Sequence, residues 1–226
     1  MRVYLRKQEP DIYTRLRAGH MQQRRIELLK EEITKANKEK SIGAVADLGC
    51  GTGKVIYDLS NIFPFIRFCG YDMNERFIRC AQGNFNNRNL EFTCLNLESE
   101  MQMEEEYDFV YSIDFLHHLR ILDRAIQNIH KMLKNGRCWL VIEPNIFNIY
   151  MALAQLLMKD ERLFWQRCSE ELFLDGKFQI KNKTFFLLIP SYIKNPPDVI
   201  RKLERRFEKN FFLGGSVVYV LQKCAI

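Results

Sequence analysis

A mostly parallel α/β sheet with helices on both faces is the fold this sequence predicts, and three observations lead to it. Between residues 44 and 145, short apolar runs alternate with segments of helical periodicity, the pattern of strands joined by crossover helices. A glycine-rich stretch, Val45-Ala46-Asp47-Leu48-Gly49-Cys50-Gly51-Thr52-Gly53, joins the first apolar run to the first helical one. The chain has 226 residues, 47% hydrophobic and 27% charged, which suits one domain with a substantial core.

The elements follow in order. Ile26, Leu29, Ile33 and Ala36 recur at helical spacing and predict one amphipathic helix over residues 20–40, part of an N-terminal helical cap (1–43) beside a ligand cleft. Ile42 to Leu48 reads as a buried strand, and Val55, Ile56, Leu59 and Ile62 as one face of the next helix. A β-like run from Ile66 to Tyr71 ends at Asp72. A helix then runs from an Asn74 N-cap to a Gly83 C-cap. Strands follow at Leu90 to Leu95 and Phe109 to Ile113, with a helix near Ile121 to Leu133. Asn135-Gly136 turns the chain into a strand, Cys138 to Ile142, that stops at Pro144.

Beyond Pro144 the pattern changes. Ile146 to Phe164 and Ser169 to Leu174 read as helices, and Phe178 to Ile189 as a phenylalanine-rich strand. Pro190, Pro196 and Pro197 break the chain before a charged helix, Asp198 to Glu208. Gly214-Gly215 lead into a last strand, Val217 to Leu221, which has no other sheet to join. Residues 1–226 therefore read as a single domain, with 44–145 its ligand-binding core and 146–226 a substrate-side elaboration carrying the final strands.

The glycine loop is the most informative motif. Glycine permits φ > 0 and removes the Cβ that keeps a ligand from the backbone. The dinucleotide fingerprint G-x-G-x-x-G needs a third glycine where this chain has Lys54. Asp47 would repel a pyrophosphate and attract an ammonium. A ligand with an amino-acid ammonium and no phosphate fits these demands, and S-adenosylmethionine (SAM) has that character. A nucleotide-binding Rossmann enzyme is the competing reading.

Asp47-x-Gly49-x-Gly51-x-Gly53 resembles the first motif of class I SAM-dependent methyltransferases. Asp72, in Gly70-Tyr71-Asp72-Met73, stands nineteen residues beyond Gly53, close to the ~20 expected of a ribose-binding acid. A carboxylate accepts two hydroxyl hydrogen bonds at once, and Met73 offers a polarizable contact for adenine. Tyr107 to Leu119 and Leu140 to Asn145 are similar to the fourth and fifth strands of small-molecule methyltransferases, the quinone-biosynthesis group among them. That resemblance implies the Rossmann-like class I methyltransferase fold, with a seven-stranded sheet whose last strand is antiparallel. It implies SAM as cofactor and S-adenosylhomocysteine as product. It sets Asn96 and Leu97 beside adenine, although the family often has aspartate where Asn96 stands. Cys50 falls within the glycine loop, and the backbone of Ser112, Ile113 and Asp114 faces the SAM amino group. The implied reaction is in-line displacement of methyl onto an O, N or C acceptor.

Candidate general bases are His117 and His118, of which only one can face the cleft, and Glu143 at the end of its strand. In-line positioning alone supplies much of such an acceleration. Phe185 to Ile193 and Phe207 to Leu213 are rich in aromatic and aliphatic residues. With Tyr192 and Glu143 on the substrate side, they suggest a small apolar or lipid-like acceptor. Asn195-Pro196-Pro197-Asp198 reads as a loop and helix start, because a nucleobase-methylating motif of this type belongs after the fourth strand.

Both ends of the chain are net basic and the middle is net acidic. The basic residues are interleaved with acids, as in Arg24-Arg25-Ile26-Glu27, which reads as solvated helix faces. An RNA- or protein-modifying enzyme using these flanks is the first alternative, and a silent SAM-fold binding module the second. DNA is not expected as a partner, no metal is expected, and peripheral membrane contact is compatible with the apolar segments. No apolar run approaches the ~18 residues of a spanning helix. The N-terminus is charged from Arg2 onward, and seven cysteines lack any C-x-x-C pair, so a reducing cytoplasm is expected.

Overall fold

The computed structural model describes residues 10, 19–101, 104–157, 163–190 and 192–224. Seven strands form one sheet: β1 (Ala44–Leu48), β2 (Arg67–Asp72), β3 (Leu90–Cys94), β4 (Tyr107–Ile113), β5 (Leu133–Pro144), β6 (Phe178–Phe186) and β7 (Ser216–Lys223). Their spatial order is β3-β2-β1-β4-β5-β7-β6. The first five pair in parallel, and β7 runs antiparallel between β5 and β6. The helices are α1 (His20–Glu39), α2 (Lys54–Ile62), α3 (Glu75–Asn84), α4 (Leu122–Met132), α5 (Ile149–Leu157), α6 (Gln166–Asp175) and α7 (Asp198–Phe207).

Side chains alternate across each strand, so the sheet feeds two apolar clusters. On one face Ala46, Leu48, Val110, Trp139 and Tyr219 pack with Ala125, Ile126 and Ile129 of α4 and Phe173 of α6. On the other Val45, Phe68, Tyr111 and Leu140 pack with Leu29 and Ile33 of α1, Ile56 and Leu59 of α2, and Ile78 and Ala81 of α3. This double cover explains the nearly continuous apolar runs of the central strands.

Several boundaries move. Asn74 does cap α3, its side chain accepting from Arg76 N, but the helix continues through Gly83 to Asn84. Asn135-Gly136 does not form a separate turn. It lies in the irregular start of β5, where pairing with β4 shifts between Tyr107 and Phe109 and Gly136 takes φ 72°. The predicted strand to Ile189 ends at Phe186, because the next residue, Leu187, has φ 60° and leaves the sheet. Of the helix expected over 146–164, Ile149–Leu157 is seen and 158–162 lie outside the described residues, as does most of the cap before residue 19.

The Arg24-Arg25 pair is a further correction. Both side chains are buried, because α1 packs beneath α7 and the segment after β6. Arg24 pairs with Glu208 at 2.7 Å and lies over the Phe186 ring, and His20 meets Glu204 at 2.5 Å. The same two glutamates accept backbone N–H groups of Leu187, Leu188 and Ile189. One set of carboxylates thus neutralises α1 and satisfies a turn that has left its strand.

Asp108 joins three strands at the opposite edge. It accepts from Gly43 N and Ala44 N at the start of β1, from Lys134, and from Arg137 on β5. Burial raises its pKa, but the Gly43 amide, Lys134, the Ala44 amide and Arg137 outweigh that and leave it below the usual carboxylate value. A depressed folded pKa stabilises the protein above the unfolded value of about 3.9, and the gain disappears as pH falls through the folded value. Asp108→Asn is therefore expected to lower the melting temperature at pH 7 and to match wild type only in strong acid. Equal melting temperatures at pH 7 would contradict this.

Candidate functional site

The glycine loop crosses from β1 to α2 at the C-terminal edge of the parallel strands, the edge at which open α/β sheets bind ligands. Gly49 N and Cys50 N both donate to Tyr71 O, at 2.8 and 2.9 Å, which pins the loop to the end of β2. Gly49, Gly51 and Gly53 have φ of 78°, 57° and 82°, a region L side chains rarely adopt. Their missing Cβ atoms also serve packing. A Cβ on Gly49 would lie 2.4 Å from the Phe115 ring, and one on Gly53 would lie 2.6 Å from Phe92. Lys54, in place of a third dinucleotide glycine, opens α2 and pairs along it with Asp58.

Asp47 is 3% exposed, and Tyr111 donates its hydroxyl to Asp47 Oδ2 at 2.9 Å. The two residues are register neighbours on β1 and β4. Asp72 closes the other side: its Oδ2 accepts from Gly51 N at 2.9 Å and its Oδ1 from Asn74 N at 2.8 Å. Because Asn74 is the helix cap, Asp72 is not needed for that task. The Cys50 thiol is pushed well up, first by burial and then by the charges of Asp47 and Asp72, so it stays protonated and poorly nucleophilic. Burial, followed by the Asp47 charge and hydrogen bond, likewise keeps the Tyr111 phenol protonated.

Met73 follows Asp72 and is half exposed. Asn96 is exposed beyond β3, and its side-chain oxygen accepts from Glu98 N in a local turn at 3.0 Å. Leu97 is buried in the core cluster. At the end of β4, Ser112 is fully buried and accepts from Trp139 Nε1 at 3.2 Å, while Ile113 is nearly buried. Asp114 takes φ 48°, donates its N–H to Ile142 O, and accepts from Arg25 Nη2 at 2.5 Å.

The segment after β4 rests on Glu143. This carboxylate, expected to face an acceptor, is instead fully buried, and both its oxygens are engaged. Oε1 accepts from Phe115 N and Leu116 N at 2.9 and 2.7 Å, and Oε2 meets His117 Nδ1 at 2.6 Å. His117 is therefore held inside the fold, its side chain 2% exposed. His118 is half-buried, with its ring 4.1 Å from that of His117.

Past Pro144 the same edge becomes apolar. Ile149, Tyr150, Leu153, Leu156 and Leu157 of α5 are exposed, as are Tyr192 (69%) and Phe212. The Tyr150 phenol is raised, first by partial burial and then by Tyr192. Gly215 backs onto the Met151 side chain, and the Phe147 ring lies 4.4 Å from that of Phe211, tilted by 35°. β7 runs antiparallel to β5, so its leading loop and α5 share one edge with the glycine loop.

Sequence reasoning found the glycine loop and both acids but missed Tyr111, Arg25 and the buried role of Glu143. For Tyr111 the available signal was period: it is an apolar-run residue two before Ile113, on the face Asp47 takes. Arg25 carried no local signal, since its partner is 89 residues away.

SAM fits what is present. Two carboxylates flank a loop whose backbone approaches the space above the sheet, and their combined charge favours a cation over a phosphate. Among the described residues no group of three or more His, Cys, Asp and Glu is arranged to hold a metal, and no helix is long and apolar enough to cross a membrane. Residues 46–138 match the model of a methyltransferase domain. Over 142 residues the chain is 31% identical to a malonyl-[acyl-carrier protein] O-methyltransferase of Bacillus anthracis, covering 62% of this chain and 49% of the relative. It is 30% identical to a juvenile hormone acid O-methyltransferase of Bombyx mori, covering 57% and 49%. The chain thus spans about half the length of these relatives. A SAM-dependent methyltransferase from Archaeoglobus fulgidus superposes with a TM-score of 0.64 at 18% identity, over 88% of this chain and 94% of that one, which is a likeness of fold. The sheet order, the loop beside Asp47 and Asp72, and the methyltransferase domain matched at residues 46–138 together give this chain the Rossmann-like class I methyltransferase fold.

Proposed function

We propose that the protein transfers the methyl group of SAM to a carboxylate oxygen of a small apolar acid. The observation that carries this reading is the exposed apolar surface of α5, Tyr192 and Phe212 on the edge that holds the glycine loop. A patch of this kind marks a binding face. The names of both relatives give an acid as acceptor, a malonyl group and a hormone acid.

The reading also suits the two histidines. A carboxylate is already ionised at neutral pH, so it needs no base to become a nucleophile. His117, locked on Glu143, then positions the segment after β4 instead of removing a proton. The bound SAM supplies an activated methyl on a sulfonium. Asp47 holds the ammonium, Asp72 the ribose hydroxyls, and Met73, Asn96 and Leu97 border the adenine. The backbone of Ser112 to Asp114 lines the methionyl end. Tyr192 and α5 would exclude water and orient the apolar tail of the acceptor, in-line positioning being what such a transfer chiefly requires.

The test is transfer of labelled methyl from SAM to dodecanoic acid, with dodecanol and dodecylamine as controls. The ester is expected from the acid alone. In Tyr192→Ala the KM for the acid is expected to rise about tenfold, the order of 1–2 kcal/mol of lost apolar contact, with SAM affinity unchanged. Unchanged KM removes Tyr192 from the acceptor site. Methylation of the amine or the alcohol in place of the acid overturns the carboxylate assignment. RNA as acceptor requires salt-sensitive binding, and the burial of Arg24 and Arg25 removes two of the cations it would use.

A further inference from the structure

We propose that α7 and the loop after it, residues 208–215, dock on an anionic lipid bilayer and bring the apolar edge of the molecule to the membrane surface. This docking does not rest on the carboxylate reading above, since it concerns where the protein works and not the atom it methylates.

α7 is inverted relative to an ordinary surface helix. Its carboxylates turn inward: Glu204 and the capping Glu208 are buried and paired with His20 and Arg24 of α1. Its apolar residues turn outward. Val199, Ile200, Leu203 and Phe207, at spacings of three and four, form one stripe, and each is exposed, Val199 to 68%. An amphipathic helix in water places such a stripe against the core. The apolar surface does not end with the helix. Phe212 and Leu213 are exposed in the following loop, and Leu213 O accepts from Asn148 Nδ2 just before α5. α5 is inverted too: Gln155 is buried while Ile149 and Leu153 are exposed, and the helix contains no charged residue.

Charge names the occupant. Residues 198–209 carry five Lys or Arg. Arg205 reaches back to Glu27 of α1 and Arg201 to Asp198, at 3.2 and 4.0 Å. Lys202, Arg206 and Lys209 are exposed and form no ion pair among the described residues. Lys202 and Arg206, one turn apart, border the stripe on the side away from the buried glutamates. With Glu204 and Glu208 withdrawn, Asp198 is the one acid of α7 left at its surface. An apolar stripe edged by cations is the pattern of a helix lying in a bilayer interface, the stripe among acyl chains and the cations level with anionic headgroups. RNA would engage the cations and leave the stripe in water. The location agrees. α7 joins the end of β6 to the start of β7, and both lie at the edge where β5 ends, so docking there turns the ligand-binding edge toward the bilayer.

The experiment pellets the full chain with sucrose-loaded vesicles of phosphatidylcholine, alone or with one-third phosphatidylglycerol. Partition onto the anionic vesicles is expected to exceed that onto the neutral ones by about tenfold or more, and to weaken as salt rises. Two double variants divide the causes: Lys202→Gln with Arg206→Gln, and Val199→Gln with Leu203→Gln. Each is expected to lower partition about tenfold, while calorimetry with SAM returns the wild-type affinity. Equal partition onto both kinds of vesicle, or none, overturns the proposal. So does an apolar variant that pellets like wild type, which reduces the effect to unspecific charge. RNA binding that the charge variant loses, without vesicle binding, makes the face a nucleic-acid surface and refutes docking. A dimer that the apolar variant dissociates, without vesicle binding, makes it a contact between two copies and refutes docking likewise. Should either variant unfold, hydrogen exchange of the wild type decides: amides of 198–213 are expected to slow on anionic vesicles and not on neutral ones, and no slowing refutes docking. Dodecanoic acid left unmethylated by a protein that does bind vesicles refutes the carboxylate reading alone.

Discussion

Asp47→Asn is expected to weaken SAM binding by about 2–4 kcal/mol, the cost of truncating one member of a buried charge pair. That is a rise in Kd of roughly thirty- to several-hundredfold. The substitution isolates charge from shape. The introduced amide would keep an oxygen to accept the Tyr111 hydroxyl, and its volume matches that of the aspartate at 3% exposure. The fold should therefore survive with an unchanged or higher melting temperature, since a carboxylate has left an interior position. Calorimetric titration with SAM reads the effect. A Kd within about threefold of wild type would mean that Asp47 does not hold the ammonium and that the site must be assigned anew.

The second large effect concerns stability. Glu143→Ala removes the acceptor of two backbone N–H groups and the partner of His117 in one step, at a position with no access to water. Breaking a buried, hydrogen-bonded pair of this sort costs about 3–5 kcal/mol, which in a chain of this size lowers the melting temperature by about 10 °C. Glu143→Gln keeps an acceptor oxygen toward Phe115 and Leu116 and should fall between the two. Because Ser112 to Asp114 immediately precede the released segment, SAM affinity is expected to drop with stability in the alanine variant. Scanning calorimetry decides the matter. A loss of activity with an unchanged melting temperature would point to Glu143 acting on the acceptor after all.

The residues that were legible in the sequence share one property: their signal is local. Asp47 and its three glycines occupy seven positions, and the strand-turn-helix around them is written in the adjacent hydrophobic pattern. Asp72 was visible because the length of a strand-helix-strand unit fixes its spacing. The seven strands and the antiparallel last one followed from the family resemblance, and the sheet has that form.

What escaped was non-local. Glu143 looks like a strand-end acid until β4 and β5 are set side by side, when its oxygens fall under the backbone of Phe115 and Leu116. Arg24 and Arg25 look solvated because a helix pattern reports only its own face. The Glu208 that pairs with Arg24 comes 184 residues later, at the end of α7. Glycine was misjudged in part for the same reason. Gly49 and Gly53 do take left-handed conformations, but the space they vacate is filled by Phe115 and Phe92, which no local pattern foretells.

The position of β7 bears on how the chain is made. Residues 216–223 insert between β5 and β6 and pair along both of their edges. A ribosome delivers these residues after β6, so until then β5 has an open edge and β6 has no strand beside it. The sheet is therefore completed last at an interior seam, by contacts to β5 that span more than 70 residues. Long-range pairing of that kind is slow, and an open edge held for the interval is a template for association. For this protein the hazard of aggregation belongs to synthesis and to truncated products lacking the last strand, more than to the finished fold.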